Sequence, residues 1–440
     1  MKTATWIGIL AVCVGVSACP FEAKYTVGGT VTGLRGAGLV LQNSSGRYLS
    51  VTANGAFTFP TGVANANTYS VTVRTQPTNP TQTCSVVNGT GTIDKAAVTN
   101  VLVHCTQAGR FAYVVSQSSN SISGFSIDAT TGALTPIAGS PFASVGTTPV
   151  AAMVDPDGAF LYVTNNGSAE VTVYAIDDTT GILTPAAEAI ATGNAPIAAA
   201  IDPTDRYLYV ANSADNTVSA FAIESGTGFA TLIAGSPYLV GRDPVSLTID
   251  PNGNFLYVTN FVDGSVSVLA IDSASGELTA VSGSPFSAGA GAVSIAVNPA
   301  DSLAYVANQT GSSISEFTVD SSTGALTAVA GSPVSTGSSP QALAVAPAGG
   351  FLYATNVTSQ NDISTYSIAA GGALTLSSTV GSGTEPLSIV ADPLGQFVYA
   401  ANNGSGNVSV FSVDASTGTL TRVAGSPFAA GAGARWIAID

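Results

Sequence analysis

Seven copies of a strand ending of the type Tyr-Val-X-Asn constrain the fold of this chain more than any other feature of its sequence. Successive copies stand 46 to 49 residues apart. They begin at Tyr113, Tyr162, Tyr209, Tyr257, Tyr305, Tyr353 and Tyr399. A repeat of this length holds four short strands and their turns, which is one blade of a β-propeller. The ladder therefore predicts an all-β protein whose residues 108–440 form a seven-bladed propeller.

The fourth copy shows how one blade is built. It predicts four strands, a to d from the inside outwards, over 244–250, 255–260, 265–272 and 277–285. Asp250 begins a type I turn between strands a and b, with Pro251 second and Gly253 fourth. Asp272 begins an Asx turn between strands c and d. The same turn recurs at Asp128, Asp177, Asp320 and Asp414.

The two ends of the propeller sequence are out of step with the repeat. The first copy begins at strand b, with Phe111, and has no strand a of its own. The missing strand stands at the C-terminus, where residues 435–440 match 245–250 in phase. The last strand is therefore expected to complete the first blade. Three strands from one end and one from the other would close the ring and leave no free sheet edge there.

The first eighteen residues have the pattern of an export signal. Lys2 precedes an apolar run over 6–16, and small residues follow. Residues 16–19, Val-Ser-Ala-Cys, resemble the bacterial lipobox, in which the cysteine is lipidated; ordinary cleavage after Ala18 is the alternative. We expect an exported lipoprotein of the cell envelope, at the outer membrane or periplasmic face in a Gram-negative cell, held through Cys19 alone. If the lipobox is not used, the chain would be secreted.

The number of cysteines agrees with lipidation. Removal of Cys13 with the signal leaves Cys19, Cys84 and Cys105. An exported protein rarely keeps an odd exposed thiol. We therefore expect a disulfide between Cys84 and Cys105, and a lipid on Cys19.

Residues 25–106 predict a small β-sandwich after a short linker, 19–24. The expected strands alternate apolar and polar residues over 25–31, 38–42, 48–52, 56–59, 69–74, 84–87 and 101–105. Asn54-Gly55 is expected to form a two-residue hairpin turn. The segments VGGTVTGL, GLVLQN, ANGAFTF and YSVTVRTQP resemble an immunoglobulin-like module of exported bacterial proteins, which implies a spacer or an adhesive accessory. His104, the single histidine, is expected at the surface without a metal or catalytic role.

The distribution of charge excludes one class of partner. Residues 1–107 carry six Lys or Arg and two acids, whereas residues 108–440 carry five Arg, no Lys and 24 acids. The propeller therefore has a net charge of −19 (5 − 24). Such an acidic surface repels a phosphate backbone, so nucleic acids are not expected as partners.

The repeat also carries a family resemblance. The YVTN or YVAN ending, the ID-x-x-TG-x-L-T turn and the GSP-[FY] strand exit resemble the YVTN repeat group and the seven-bladed lactonase family that includes bacterial 6-phosphogluconolactonase. The resemblance covers residues 108–440 and implies a propeller whose top face hydrolyses a lactone. The same repeats occur on surface-layer and other non-enzymatic proteins, so the fold leaves the activity open.

Most of the acids fall in the a–b and c–d turns, which lie together on the bottom face of the propeller. The sixteen are Asp128, Asp155, Asp157, Asp177, Asp178, Asp202, Asp205, Glu224, Asp250, Asp272, Glu277, Asp301, Asp320, Asp392, Asp414 and Asp440. A calcium-binding rim would use such oxygen ligands. Because the acids recur with the blade period and no Asp-x-Asp-x-Asp loop is present, each is expected to close its own turn, and no metal site is predicted.

The top face carries the d–a and b–c loops and the candidate site. Every strand b ends there in a polar residue, at Ser116, Asn165, Asn212, Asn260, Asn308, Asn356 and Asn402. These residues are expected to cap strands, and Asn260 is also a candidate ligand contact. Six residues before or at the start of strand a depart from the repeat and are more selective candidates. They are Arg242, Asp243, Gln341, Glu385, Arg435 and Trp436.

Two functions remain open at this point. Lactone hydrolysis needs a base to activate water and donors where the oxyanion forms. On this hypothesis Glu385 is the base, Arg242 and Arg435 stabilise the oxyanion, and Asp243, Gln341 and Trp436 contact the ligand. The propeller has no histidine or lysine, which excludes a Ser-His-Asp triad there. The preferred hypothesis is a monomeric scaffold of the envelope that binds a protein or a small carbohydrate or lactone, without a cofactor.

Overall fold

The computed structural model describes residues 23–34, 36–78, 82–106, 110–186, 188–300, 302–336, 339–357 and 361–440, which form strands and turns without a helix. None of these residues belongs to a helix that could cross a membrane. The signal peptide, the lipidation site Cys19 and the turn residue Asp301 lie outside the described residues. The chain is all-β, as the ladder predicts.

The N-terminal part consists of two four-stranded sheets and a two-stranded ribbon. Its strands are β1 (Lys24–Tyr25), β2 (Val27–Thr32), β3 (Leu39–Asn43), β4 (Tyr48–Val51), β5 (Gly55–Thr58), β6 (Val63–Ala64), β7 (Thr68–Thr75), β8 (Thr83–Val87), β9 (Thr90–Thr92) and β10 (Val98–Thr106). One sheet has the order β5-β2-β10-β8, the other has the order β4-β3-β7-β9, and β1 pairs with β6. Alternate side chains of both sheets, among them Val31, Leu41 and Val103, form one buried core.

The predicted hairpin turn at Asn54-Gly55 is wrong. Strand β4 pairs with β3 and strand β5 pairs with β2, so the chain crosses there from one sheet to the other. The Asn54 side chain accepts a hydrogen bond from the Leu34 amide at 2.7 Å and donates one to Asp157 of the propeller at 2.5 Å. Tertiary hydrogen bonds therefore decide the local path, which a turn dipeptide does not encode.

Cys84 and Cys105 form the predicted disulfide. They lie opposite each other on β8 and β10, and both are buried. The side-chain amide of Gln76 accepts a hydrogen bond from the backbone N–H of Cys84 and donates one to its carbonyl. His104 is exposed beside the disulfide, and its Nδ1 lies 2.9 Å from the Thr32 hydroxyl.

Residues 111–439 form the seven predicted blades, each with strands a, b, c and d from the axis outwards. For blades 1 to 7, strands a are Ala434–Ile439, Pro149–Val154, Pro196–Ile201, Pro244–Ile249, Ala292–Val297, Pro340–Val345 and Pro386–Ala391. Strands b are Phe111–Ser116, Phe160–Asn165, Tyr207–Asn212, Phe255–Asn260, Leu303–Asn308, Phe351–Asn356 and Phe397–Asn402. Strands c are Ser121–Ile127, Glu170–Ile176, Thr217–Ile223, Ser265–Ile271, Ser313–Val319, Asp362–Ile368 and Asn407–Val413.

The predicted outer strand is divided into two pieces in six blades. Strands d are Leu134–Pro136, Leu183–Pro185, Ala230–Leu232, Leu278–Ala280, Leu326–Ala328, Leu374–Gly381 and Leu420–Arg422. The second pieces, in blades 1 to 5 and 7, are Phe142–Ala143, Ile190–Ala191, Tyr238–Leu239, Phe286–Ser287, Val334–Ser335 and Phe428–Ala429. In blade 4 the hydroxyl of Ser284 fills the gap and accepts a hydrogen bond from the Val268 amide at 2.9 Å. The serine of the GSP motif thus satisfies a backbone donor that the broken strand leaves open.

The ring closes as predicted, with strand a of blade 1 supplied by the C-terminus. This strand pairs antiparallel with strand b of the same blade. Asp440 follows it, and its Oδ1 accepts hydrogen bonds from the amides of Arg110 at 2.8 Å and Phe111 at 2.9 Å. Asp250 makes the same two bonds to the amides of Asn254 and Phe255 in blade 4. The carboxylate of Asp440 therefore reproduces the a–b turn across two separate chain segments, and the Arg110 guanidinium joins it at 3.1 Å.

In blades 1, 2, 3, 5 and 7 the tyrosine of the ladder joins the blade to the next one by a hydrogen bond. The hydroxyl of Tyr209 in blade 3 donates a hydrogen bond at 3.0 Å to the carbonyl of Gly276, in the c–d turn of blade 4. The same bond joins Tyr113 to Gly181, Tyr162 to Gly228, Tyr305 to Gly372 and Tyr399 to Gly132. Each of these hydroxyls is buried, and burial raises the pKa of each of the five tyrosines. The Tyr353 hydroxyl is buried too, but among the described residues it has no hydrogen-bond partner.

This difference predicts unequal effects of removing a hydroxyl. Tyr209→Phe leaves the Gly276 carbonyl without its donor and should lower the free energy of unfolding by about 1–2 kcal/mol. Tyr353→Phe removes a hydroxyl that makes no bond and should change that free energy by less than about 0.5 kcal/mol. Denaturant titration of the two variants measures both values. Equal losses would show that the hydroxyl bond does not contribute to the contact between blades.

The aspartates that begin the c–d turns close their own turns. Asp128 Oδ1 accepts hydrogen bonds from the amides of Thr130 and Thr131, which lowers the pKa of Asp128. Equivalent bonds form at Asp177, Asp272, Asp320 and Asp414. The N-terminal sheets lie against this face: clefts of about 420 and 540 Å³ separate them from the bottom turns of blades 3 to 6. The top face is therefore the one that faces away from the N-terminal part.

Candidate functional site

A cavity of about 270 Å³ opens on the top face at the propeller axis. Every blade contributes the second residue of its strand a to the cavity wall. In the order of blades 1 to 7 these residues are Arg435, Val150, Ile197, Val245, Val293, Gln341 and Leu387. Neighbouring strands a contact one another round the ring, so these side chains surround a common centre. Five of the seven are aliphatic, which leaves Arg435 and Gln341 as the polar positions.

A β-bulge at the start of strand a aims these side chains at the axis. In blade 4, Pro244 pairs with Asn260 and Ser246 pairs with Thr259, so Val245 between them has no partner on strand b. The same irregularity occurs in every blade. A bulge re-aims one side chain and ends the regular alternation of faces. The seven wall residues are the seven bulged residues.

The chain enters each strand a through a tight loop. The residue before the strand has a left-handed backbone in six blades, with φ of 52° to 74° at Thr148, Ala195, Asp243, Gly291, Glu385 and Gly433. Its carbonyl accepts a hydrogen bond from the first amide after strand b of the same blade, as Phe261 donates to Asp243 at 2.9 Å. This bond repeats in all seven blades. It holds the start of strand a and the b–c loop together as the rim of the cavity.

Arg435 is the cation of the cavity. Burial lowers its pKa, because the guanidinium has lost much of its water. Its Nη1 donates a long hydrogen bond of 3.4 Å to the side-chain amide oxygen of Gln117. No carboxylate among the described residues lies within ion-pair distance of it. A guanidinium of this kind has N–H donors that match the two oxygens of a carboxylate.

Asp243 brings a carboxyl group to the other side of the cavity. Blade 4, which carries it, is three blades from blade 1 in a ring of seven, so Asp243 and Arg435 face each other across the axis. Burial raises the pKa of Asp243. Its backbone amide donates to the side chain of Asn216 at 2.8 Å, which fixes the loop, and Asp243 lines the cavity.

Neutral polar and aromatic groups complete the wall. Gln341 Oε1 accepts a hydrogen bond from the amide of Gln309, in the b–c loop of blade 5. Trp436 follows Arg435 and also lines the cavity, as does Phe261 of blade 4. The cavity therefore combines one cation, one carboxyl group, one side-chain amide, two serines and two aromatic rings over an aliphatic floor. This set can hold the anionic end, the hydroxyl groups and the carbon skeleton of a small ligand.

Two of the predicted catalytic residues lie outside this cavity. The side chain of Arg242 is 69% exposed, and its Nε lies 2.6 Å from Asp263 in an ion pair on the rim. Glu385 is exposed on the rim of blade 7, where its carboxylate reaches towards Gly404. The structure therefore brings together Arg435, Asp243, Gln341 and Trp436, and it leaves Arg242 and Glu385 apart from them.

The asparagines at the ends of strands b are structural. Asn260 is fully buried, and its Nδ2 donates hydrogen bonds to the hydroxyls of Ser265 at 3.1 Å and Ser267 at 2.9 Å. Gly241 of the preceding loop packs so closely on this amide that an added Cβ would overlap it. Equivalent asparagines in blades 3, 5 and 7 make the same pair of bonds to strand c. Asn260 therefore joins strands b and c and does not reach the cavity.

The bottom face has an acidic cluster of its own. Burial, with the nearby charges of Asp155, Asp157 and Asp202, raises the pKa of Asp205 to about 8. Within the described residues, no group of three or more His, Cys, Asp or Glu side chains has a geometry that could hold a metal ion. Asp155 and Asp202 accept hydrogen bonds from backbone amides of their own turns, whereas Oδ1 of Asp205 is buried without a partner among the described residues.

Sequence reasoning missed most of the cavity wall. It found Arg435, Gln341, Asp243 and Trp436 because they depart from the repeat before or at the start of strand a. It did not find Phe261, which lines the cavity, or Gln117 and Gln309, which bond to Arg435 and Gln341. All three follow strand b directly. The seven residues at that position vary from blade to blade, and this variability next to an invariant strand was the available signal.

The comparisons with known proteins agree with the fold. A family model described as "Lactonase, 7-bladed beta-propeller" matches residues 67–245, 194–293, 241–337 and 288–435. The matches overlap through the propeller, and the first begins inside the N-terminal sheets. No curated protein matches the chain.

Solved structures with the same architecture include proteins named for lactone hydrolysis. The provisional 6-phosphogluconolactonase of Bacteroides uniformis has 19% identity and a TM-score of 0.67, over 76% of this chain and 100% of its own. The periplasmic gluconolactonase of Pseudomonas aeruginosa has 20% identity and a TM-score of 0.62, over 73% and 96%. A protein from Lactobacillus plantarum has 20% identity and a TM-score of 0.65, over 76% and 100%. At these identities the likeness shows the fold alone.

Proposed function

Because this chain belongs to the lactonase family of seven-bladed β-propellers, we propose that its top-face cavity binds a small hydroxy acid through the carboxylate of that acid. The observation that carries the proposal is Arg435, a desolvated guanidinium on the cavity wall with no carboxylate partner among the described residues. The Gln341 amide and the two aromatic rings of the wall would contact the hydroxyl groups and the carbon skeleton.

Arginine is well suited to this role. Its planar fork of N–H donors matches the two oxygens of a carboxylate, and an ionic hydrogen bond strengthens where water is excluded. The long bond to Gln117 holds the guanidinium in place without neutralising it. A bound carboxylate would supply the missing negative charge.

Removal of the guanidinium should abolish this binding. Hydrogen bonds to charged groups contribute about 1.5–3 kcal/mol, so Arg435→Gln should weaken binding by roughly 10- to 100-fold. Isothermal titration of the full chain with a set of three- to six-carbon hydroxy acids, including D-gluconate, measures the effect. Arg242→Gln is the matched control, because it removes the same charge from the exposed rim and should change the affinity less than about twofold. Full binding by Arg435→Gln would contradict the proposal.

Hydrolysis of the corresponding lactone is a second candidate function. It is favoured by the placement of Asp243 opposite Arg435 and by the raised pKa of Asp243, which makes its carboxylate a better base. In this reaction Asp243 takes a proton from water while the water oxygen bonds to the lactone carbonyl carbon. Arg435 donates hydrogen bonds to the oxyanion. The ring C–O bond then breaks, and the departing alkoxide takes back the proton.

We propose Asp243, in place of Glu385, as the base of this reaction, because Asp243 lines the cavity and Glu385 does not. Asp243→Asn should reduce kcat on glucono-δ-lactone by roughly 10²-fold or more, the usual effect of losing a general base. Glu385→Gln should leave kcat within about twofold, since Glu385 is an exposed rim residue. A pH-stat assay of lactone opening measures both. If Glu385→Gln alone lost activity, Glu385 would be the base, as the sequence suggested. If the wild-type chain opened no lactone, binding would remain as the function.

We also propose that the chain is exported and held to the cell envelope through a lipid on Cys19. The support is the signal pattern of residues 1–18 with its lipobox, together with the Cys84–Cys105 disulfide. Disulfides persist in oxidising compartments and are rare in the cytosol. A protein in that compartment meets small acids and lactones of the surroundings.

Lipidation can be tested at the cysteine itself. In a bacterial host, the wild-type chain should incorporate labelled palmitate and sediment with membranes. Cys19→Ser should lose the label and remain in the soluble envelope fraction, because a lipid is the expected attachment. Cys84→Ser keeps Cys19 and serves as the control for loss of a cysteine. A wild-type chain that is exported but carries no label would show ordinary cleavage after Ala18.

A further inference from the structure

The cavity contains a single positive charge, because the other arginines of the propeller lie elsewhere. The propeller has five arginines and no lysine or histidine. Arg110 and Arg206 serve the bottom turns, where Arg110 pairs with Asp178 and Asp440 and Arg206 donates to the Ser273 carbonyl. Arg422 lies on the outer strand of blade 7 and donates to the Gly381 carbonyl. Arg242 pairs with Asp263 on the rim, so Arg435 is the only arginine of the propeller on the cavity wall.

Negative charge surrounds the entrance instead. Asp215, Asp263 and Glu385 are exposed on the top rim. The pKa of Asp215 is lowered by hydrogen bonds from the backbone and side chain of Asn194, and that of Asp263 by bonds from Arg242. Both carboxylates are therefore held in the charged form. These carboxylates repel an approaching anion before it reaches the favourable charge of Arg435.

The cavity wall offers no second cation. Besides Arg435, its seven bulged positions carry five aliphatic residues and Gln341, and the neutral residues Ser246 and Ser294 also line it. Gln341 is already hydrogen-bonded to Gln309. Across from Arg435 stands Asp243, which opposes any second negative charge on a ligand. Sites for phosphate groups elsewhere combine several cations, metal ions or backbone amides, because a phosphate monoester carries up to two charges on three oxygens.

We propose that the cavity selects ligands by charge, so that it accepts a hydroxy acid or lactone without a phosphate group and rejects the phosphate monoester of the same compound. Asp243 is the residue that excludes the phosphate, and Arg435 is the residue that binds the single carboxylate. This selection rests on the proposed function of the cavity. The chain would therefore bind unphosphorylated compounds, although the similar structure from Bacteroides uniformis is named for a phosphorylated lactone.

A pair of ligands that differ only in the phosphate group tests the selection. The full chain is titrated by calorimetry at pH 7 with D-gluconate, with 6-phospho-D-gluconate and with inorganic phosphate. The expected result is binding of gluconate, at least about tenfold weaker binding of the phosphorylated acid, and no binding of inorganic phosphate. Asp243→Asn should raise the affinity for the phosphorylated acid and reduce the difference between the two acids by about tenfold.

A charge-matched variant separates Asp243 from the general acidity of the top face. Asp263→Asn removes one negative charge from the exposed rim and should leave the ratio of the two affinities within about twofold. Equal binding of gluconate and 6-phosphogluconate by the wild-type chain would overturn the selection while leaving carboxylate binding intact. An unchanged ratio in Asp243→Asn would also overturn it. Failure of both acids to bind would instead remove the proposed function on which the selection rests.

Discussion

The packing of each blade against the turn glycine of the next blade is the contact on which the propeller depends. A Cβ at the turn glycine of any blade would come closer than 3.0 Å to the first side chain of strand b in the preceding blade. The turn also has a left-handed backbone, which favours glycine, with φ near 70° at Gly132, Gly181 and Gly276. This packing is repeated at all seven junctions, and a tyrosine hydroxyl adds a hydrogen bond to the glycine carbonyl at those of Tyr113, Tyr162, Tyr209, Tyr305 and Tyr399. The ring needs every junction, because a propeller that opens at one junction exposes the facing surfaces of two blades.

The seven-bladed ring could be predicted from the sequence because the residues of this contact are all visible there. The tyrosine, the turn glycine and the apolar start of strand b recur at one period, and backbone geometry alone makes the glycine necessary. The phase of the two chain ends predicted the closure for the same reason. The hairpin at Asn54 failed because its outcome is decided by Leu34 and Asp157, which are 20 and 103 residues away. Local pattern carries no information on such partners.

The candidate site was only partly predictable, and blades 4 and 7 show why. Asp243 and Glu385 occupy the same place before strand a, with nearly the same φ of 55° and 53°. Asp243 lines the cavity, whereas Glu385 turns outwards to Gly404. The position of Gly404 in blade 7 is occupied by Val262 in blade 4, so blade 4 has a side chain there and blade 7 has none. The direction of the carboxylate therefore depends on a residue of another loop, and repeat alignment alone cannot supply it.

The β-bulge explains why the functional residues occur where they do. Strand b is buried on both faces and its final asparagine is bonded to strand c, so neither can change without loss of the blade. The bulged residue of strand a has no partner on strand b, and its side chain meets only the axis. Substitution there alters the cavity and leaves the ring intact. Arginine and glutamine at two of the seven bulges therefore change an aliphatic floor into a polar site, and the specificity of such a propeller can be sought first in these seven positions.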